Sequence, residues 1–256
     1  MKKQFLIIAT VLFSFSLGFF SCSDDEDGYV WLLEGIYDSE YGALKKCEYD
    51  AFNRITKLTW IGSGLIQEIS TFEYGNGELI RTTTYPNVDR VDVSVYTPSG
   101  NRIIVNNCEY RYAELNSNGF PVKISNFYGN STPCVDTDEN IYEFEYDANG
   151  NVIRTGIEYD DKKNPFYYCT SPRWLLQLAV DANVGQNNMI TATFETPAGI
   201  ESTYNGSYTY DAKTGFPLKV SGLGTTPSGA PRDVVLTYKY IKRKINIAEV
   251  EVPPTF

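Results

Sequence analysis

The chain has 256 residues, with 32 Asp and Glu against 22 Lys and Arg, a formal net charge of −10, and no histidine. Phosphate recognition needs concentrated positive charge, so this acidic balance without a Lys/Arg cluster argues against nucleic acid as a partner. The missing histidine removes the commonest general base and metal ligand, and with it the Ser-His-Asp triad, His-ligated zinc and histidine pH switches. With 20 Tyr, 14 Phe and 3 Trp, the composition points to a Tyr-rich β scaffold.

Met1-Lys2-Lys3-Gln4 is a basic start, and Phe5 to Phe20 is apolar apart from Thr10, Ser14, Ser16 and Gly18. That run is shorter than the roughly 18 apolar residues of a spanning helix and fits the core of a signal peptide. Ser21-Cys22 follows, then Ser23-Asp24-Asp25-Glu26-Asp27. A lone cysteine here resembles the lipobox of bacterial lipoproteins, in which cleavage before the Cys leaves it to carry acyl chains. Phe19 and Phe20 depart from the Leu and small residue usual before that cysteine. The acidic run resembles the export tag of surface-displayed Bacteroidota lipoproteins. The expected organisation is a signal peptide over 1–21, a lipid-anchored Cys22, an acidic tether over 22–28 and one all-β domain over 29–252. The outer membrane is then the partner reached through the anchor, with the domain on its exposed face.

Five segments of the body echo one another. They run Cys47–Ile55, Phe72–Leu79, Tyr110–Phe120, Phe144–Val152 and Tyr208–Phe216, each an aromatic strand, a polar turn and an outgoing strand. In the fourth, Asn149-Gly150 is the preferred pair for a two-residue hairpin turn. That turn sets Tyr146 opposite Ile153, Phe144 opposite Thr155 and Tyr142 opposite Ile157, with Glu145 against Arg154 on the other face. Asn53 takes the slot of Gly150, since Asn tolerates the left-handed conformation. Gly119 and Gly215 come later in their segments and imply longer loops, and Phe120-Pro121 and Phe216-Pro217 open the outgoing strands. Alternation marks further strands at Val91–Val95, Arg102–Val105, Val122–Ile124, Met189–Glu195 and Val234–Tyr240.

The interval from Tyr146 to Tyr210 is too long for one hairpin. Within it, in the stretch Ser171 to Ala179, Ser171 as N-cap and Pro172 in the first helical position predict the start of one short helix. Residues 165–188 read as an insertion that lays Trp174, Leu175 and Leu178 over one end of the sheet. A meander of more than about ten strands curls or closes. The expected fold is therefore an all-β, single-domain, antiparallel up-and-down meander with a strongly curved or barrel-like sheet.

The stretch Tyr146-Asp-Ala-Asn-Gly-Asn-Val-Ile-Arg154 resembles the tyrosine–aspartate repeats of Rhs-type proteins. Together with the lipoprotein start, and with Tyr159–Phe166 leading towards Asn187-Asn188, residues 40–245 resemble a Bacteroidota lipoprotein family of unknown function with a porin-like fold. The resemblance implies a curved antiparallel sheet and a surface or periplasmic home, and supplies no catalytic residues. It does not imply a pore. Glu73, Glu143, Glu145, Lys57, Arg81, Lys123 and Lys219 all sit within strands, where a lipid-facing Lys or Arg costs about 2–4 kcal/mol at mid-depth. The domain is read as soluble.

The remaining chemistry is sparse. Cys47, Cys108, Cys134 and Cys169 permit two disulfides, with Cys134–Cys169 the expected pair because both fall in predicted loops. Gly222–Gly229 is a hairpin loop, since no helix follows it. Asp136–Asn140 lacks the Gly and terminal Glu of a calcium loop. No metal, cofactor or catalytic residue is assigned. Strand tyrosines read mainly as cross-strand structure, while Trp31, Trp60 and Trp174 are the candidate ligand-binding residues. The leading expectation is a non-catalytic surface protein that binds or scaffolds, with a glycan or another surface lipoprotein as partner. A carboxylate-dependent polysaccharide hydrolase and a purely structural surface component are the alternatives.

Overall fold

The computed structural model describes residues 28–62, 64–75, 77–126, 134, 141–180, 185–195, 201–225 and 231–244. The expected signal peptide, Cys22, nearly all of the acidic tether, residues 245–252 and the 136–140 acidic segment lie outside the described residues.

One sheet makes up the body. Its strands are β1 (Tyr29–Asp38), β2 (Gly42–Tyr49), β3 (Ile55–Gly62), β4 (Leu65–Tyr74), β5 (Leu79–Tyr85), β6 (Arg90–Ser99), β7 (Arg102–Val105), β8 (Cys108–Leu115), β9 (Pro121–Ser125), β10 (Ile141–Glu143), β11 (Ile157–Lys163), β12 (Asn187–Glu195), β13 (Glu201–Tyr210), β14 (Pro217–Thr225) and β15 (Pro231–Lys244). A single described helix, α1 (Arg173–Ala179), interrupts them. Every pairing is antiparallel, and β15 returns to pair β1, Tyr29 opposite Lys244. The hydrogen-bonded order begins at β10 and ends at β11, two strands that are neighbours in the chain. The sheet thus curls until its edges are joined by residues 144–156. There the ladder stays open, crossed by one isolated bridge between Tyr146 and Val152. The curled all-β meander is the expected one.

Successive hairpins place their turns at alternate ends of such a sheet. The turns of all five repeat segments fall at one end, with residues 164–180, 185 and 186 and the start of β1. Four of these turns share a device. Asp50, Asn116, Asp147 and Asp211 each accept two backbone N–H groups on one side-chain oxygen, as Asp147 does from Asn149 at 2.8 Å and Asn151 at 2.9 Å. The Gly150 N–H bonds the Asp147 carbonyl and the Asp147 N–H bonds the Asn151 carbonyl, both at 3.0 Å. A left-handed residue completes each loop: Asn53 at φ 64°, Gly119 at 77°, Gly150 at 73° and Gly215 at 72°.

This corrects the expected register. The fourth segment turns through three residues, not two, so Tyr146 faces Val152 rather than Ile153. The Asp147 carboxylate, which rewards the wider loop with two hydrogen bonds, outweighs the Asn-Gly preference. Gly119 closes a loop of the same length as Gly150, and only the Gly215 loop is longer. A two-residue turn with both residues left-handed does occur, at Asn106 (φ 53°) and Asn107 (φ 54°) between β7 and β8.

Three tyrosines, two of them just before repeat turns and one on β15, tie neighbouring strands together. The hydroxyl of Tyr74 donates to the Ile55 carbonyl at 2.9 Å, Tyr146 to Pro121 at 2.7 Å and Tyr240 to Pro217 at 2.9 Å. In each case the acceptor is the first residue of the adjacent outgoing strand. These hydroxyls therefore satisfy main-chain carbonyls where the ladder begins.

Inside the curl lies the core. Leu33, Cys47, Tyr49, Ile55, Leu58, Phe72, Tyr96, Ile103 and Val220 line its wall, and Trp174, Leu175, Leu176, Leu178 and Val180 fill it from the insertion. α1 is a plug. Its residues Trp174 to Leu178 bury four large apolar side chains, each contributing about 1.5–3 kcal/mol. Its ends are fixed by polar bonds. Ser171 Oγ accepts the Ile55 N–H at 2.8 Å and lies 3.0 Å from the Tyr74 hydroxyl, and Tyr146 donates to Gln177 at 2.7 Å. Ser171 is therefore not the N-cap. Pro172 holds that position without a side-chain cap, because the serine hydroxyl is spent on β3.

On the outer face Lys46, Glu48, Glu73, Lys219 and Lys239 are exposed, and Lys57 pairs with Glu48 at 2.8 Å. No helix among the described residues is long and apolar enough to cross a membrane.

Candidate functional site: a cavity on the inner wall

The structure separates the three candidate tryptophans. Trp174 is 3% exposed and packs on Tyr96 with ring centroids 5.2 Å apart, so it belongs to the plug. Trp31 is half-buried at the plugged end, opposite Lys242 and two residues before the core residue Leu33. Trp60 alone lines a cavity.

That cavity, about 480 Å³, is bounded by Ile36, Tyr41, Leu44, Lys45, Trp60 and Leu236, among others, on the β15-β1-β2-β3 wall. Pairing shows how the sequence places it. Cys47 faces Leu58 and Lys45 faces Trp60, so Trp60 follows the core residue Leu58 on the same inner face, one step beyond the plug. Lys45 marks the boundary. Its buried ammonium donates to the Val180 carbonyl at the end of α1, 3.0 Å away, and lies 4.6 Å from the Trp60 ring centroid. The lysine fixes one ring face by a cation–π contact, and the indole remains 41% exposed.

The wall beyond Trp60 turns polar. Glu68 is its cross-strand partner on β4. Arg81 on β5 donates to Glu68 Oε1 at 2.8 Å and to Ser70 Oγ at 3.0 Å, and Ser70 lies 3.0 Å from Thr83 Oγ1. The Arg81 and Glu68 side chains keep 20% and 27% of their surface, so both can still meet a ligand. Further along, Arg90 pairs with Asp92 on β6. Burial, with the nearby Glu68 and Asp92 carboxylates, pushes the Tyr85 phenol up, while the Arg90 hydrogen bond holds Asp92 below the usual carboxylate range.

On this wall Asp92 is held ionised and Glu68 is committed to Arg81 and Ser70. Among the described residues no cluster of three or more metal-ligating side chains occurs.

The disulfide differs from the expected one. Cys108 bonds Cys134, with Cα atoms 5.6 Å apart, while Cys47 and Cys169 are free and buried. Cys108 follows the Asn106-Asn107 turn at the end away from the plug, where β9 ends and β10 begins. Cys169 sits at the root of the plug, at the other end, so Cys134 cannot meet it. Burial pushes the Cys47 thiol up to about 12 and the Cys169 thiol up as well, which leaves both unreactive.

No protein-family model matches the chain, and no curated protein matches it. A solved structure described as a porin-like protein from Bacteroides uniformis is similar at 12% identity, over 84% of this chain and 96% of that one, with a TM-score of 0.34. A likeness that loose says nothing of what this chain binds.

Proposed function

We propose that the chain is a lipid-anchored, surface-displayed protein that binds a glycan without chemically altering it, in the cavity beside Trp60. The anchor rests on the signal-like start and Cys22. The binding reading is carried by one observation: an exposed indole directly opposite a partly accessible Glu68–Arg81 pair on the same inner wall. A pyranose ring presents an apolar C–H face and an edge of hydroxyls. The indole suits the first, and the carboxylate and guanidinium suit the second with charge-assisted hydrogen bonds. A wholly apolar ligand would strip water from the ion pair, and a highly charged one would compete with it.

A thermal-shift screen of the full chain against an oligosaccharide panel tests this. A ligand at a hundredfold excess over its Kd adds about 2.7 kcal/mol to stability, and Trp60→Ala should abolish that shift. No shift with any oligosaccharide would overturn the reading and favour a structural component. Polysaccharide cleavage lost in Glu68→Gln or Asp92→Asn would overturn it in favour of a hydrolase.

A further inference from the structure

We infer that the plugged end of the sheet is a membrane-contact surface and that the Trp60 cavity points away from the bilayer. The inference rests on the anchor at Cys22 in the reading above, and goes beyond it by fixing which face meets lipid.

Two independent observations carry it. One is where the chain enters. β1 starts at Tyr29, at the plugged end, and runs ten residues towards the cavity end. The seven residues from Cys22 to Tyr29 span at most about 25 Å. A ten-residue strand is about 30 Å long, so the tether cannot run back far enough to stand the domain on its cavity end. The exposed Leu65, Ile66, Val88 and Val91 lie at that far end, beyond the anchor's reach in an upright domain.

The other is the chemistry of the surface beside Tyr29. Tyr29 and Trp31 project from β1 next to Lys244 and Lys242 on β15. The Lys242 ammonium lies 4.6 Å from the Tyr29 ring centroid and 5.9 Å from that of Trp31. Arg243 donates to the Asp50 carbonyl, which draws the 50–54 turn alongside. That turn presents Phe52, 47% exposed; Arg54 lies over its ring at 5.1 Å but is paired with Asp50 at 2.7 Å, so Lys242 and Lys244 are the cations of the patch. Aromatic rings interleaved with basic side chains suit the headgroup region of a bilayer: the rings sit at the acyl boundary, and the cations meet phosphate. The acidic body repels an anionic surface at long range, but within a Debye length of about 8 Å this local patch decides the contact.

Tryptophan emission tests the orientation directly. The acylated full-length protein is incorporated into phosphatidylcholine vesicles brominated in the upper acyl chain, and quenching is compared for wild type, Trp31→Phe and Trp60→Phe. The expected result is quenching in wild type, kept in Trp60→Phe and lost in Trp31→Phe. Phe52→Asp, on an exposed turn where folding is not at stake, should weaken it too. Quenching that survives Trp31→Phe but disappears in Trp60→Phe overturns the inference, as does an acylated, vesicle-bound protein whose emission is unquenched. A purified protein carrying no acyl group at Cys22 overturns the anchor itself and the orientation with it, an outcome that mass measurement separates from the others.

Discussion

At the plugged end, the inner positions of β2 and β3 are Cys47, Tyr49, Ile55 and Leu58, all closed over by α1. One cross-strand pair further on they become Lys45 and Trp60, and on β4 to β6 the same face carries Glu68, Ser70, Arg81, Thr83 and Asp92. From Cys47–Leu58 to Lys45–Trp60 the pairing runs without a break, with register shifts on either side, at Glu48/Tyr49 and at Trp60/Ile61. What changes is the side chain at each inner position and whether the insertion reaches it. A curled sheet this wide needs filling, and a seven-residue helix fills only one end. The rest of the wall keeps polar groups that bond one another and stay available to a ligand.

The largest test of that contrast is Leu175→Ala in the plug. Leu175 is fully buried, and the substitution should cost about 2–5 kcal/mol in chemical denaturation. A loss under 1 kcal/mol would mean that the plug is not packed as described. Next is Cys108→Ser, away from the plug. Opening a bridge with a sequence separation of 26 should lower stability by about 3 kcal/mol, measured against the oxidised parent. Smaller is Asp147→Ala, which removes three turn hydrogen bonds, from the Asn149 and Asn151 N–H groups and the Asn151 side-chain amide, and should cost about 1–2 kcal/mol. Trp60→Ala belongs to the unfilled wall and should change stability by no more than about 0.5 kcal/mol, a value close to that of Leu175→Ala being evidence against two distinct regions.

The smallest effect is one of pH. Hydrogen bonds from Thr214 and the Lys213 N–H hold the Asp211 carboxyl below the usual range. Its folded pKa is thus depressed, so the stability it contributes is present above the unfolded value near 4 and is lost as pH falls through the folded value. The melting temperature should therefore decline more gently in acid for Asp211→Asn than for wild type. Equal slopes would show that the turn bonds do not bias ionisation.

Much of the architecture was legible because the signals were local. Alternation fixed Arg102–Val105 to the residue, Phe-Pro opened β9 and β14, and Ser171-Pro172 located the helix within one residue. The repeat segments were visible in sequence, but their meaning was not. The Asp four residues before Asn151 reads as a polar strand end, yet its carboxylate selects the three-residue loop and shifts the register by one. The dry, Tyr-bearing inner face was legible only in part: Phe144 and Tyr146 are half-buried, and Tyr142, further from the plug, is 51% exposed. Nothing in a strand's own pattern says how far an insertion from elsewhere will reach. For the same reason the three tryptophans looked alike, although one is core, one is half-buried near the start of β1 and one lines a cavity. Arg81 was visible only as a strand charge and Glu68 was not singled out, since their pairing depends on register. Loop assignment alone could not choose Cys108 for Cys134, because the answer depends on which end of the sheet each cysteine occupies.

Hydrogen–deuterium exchange of the full chain, with and without the oligosaccharide that gives the largest thermal shift, tests the central claim most directly. The account predicts added protection over 58–62, 66–70 and 81–85, with the amides of 173–180 slow in both states and unchanged. Protection that appears only in the plug, or on the outer-facing turns, would contradict a ligand site on the inner wall beside Trp60.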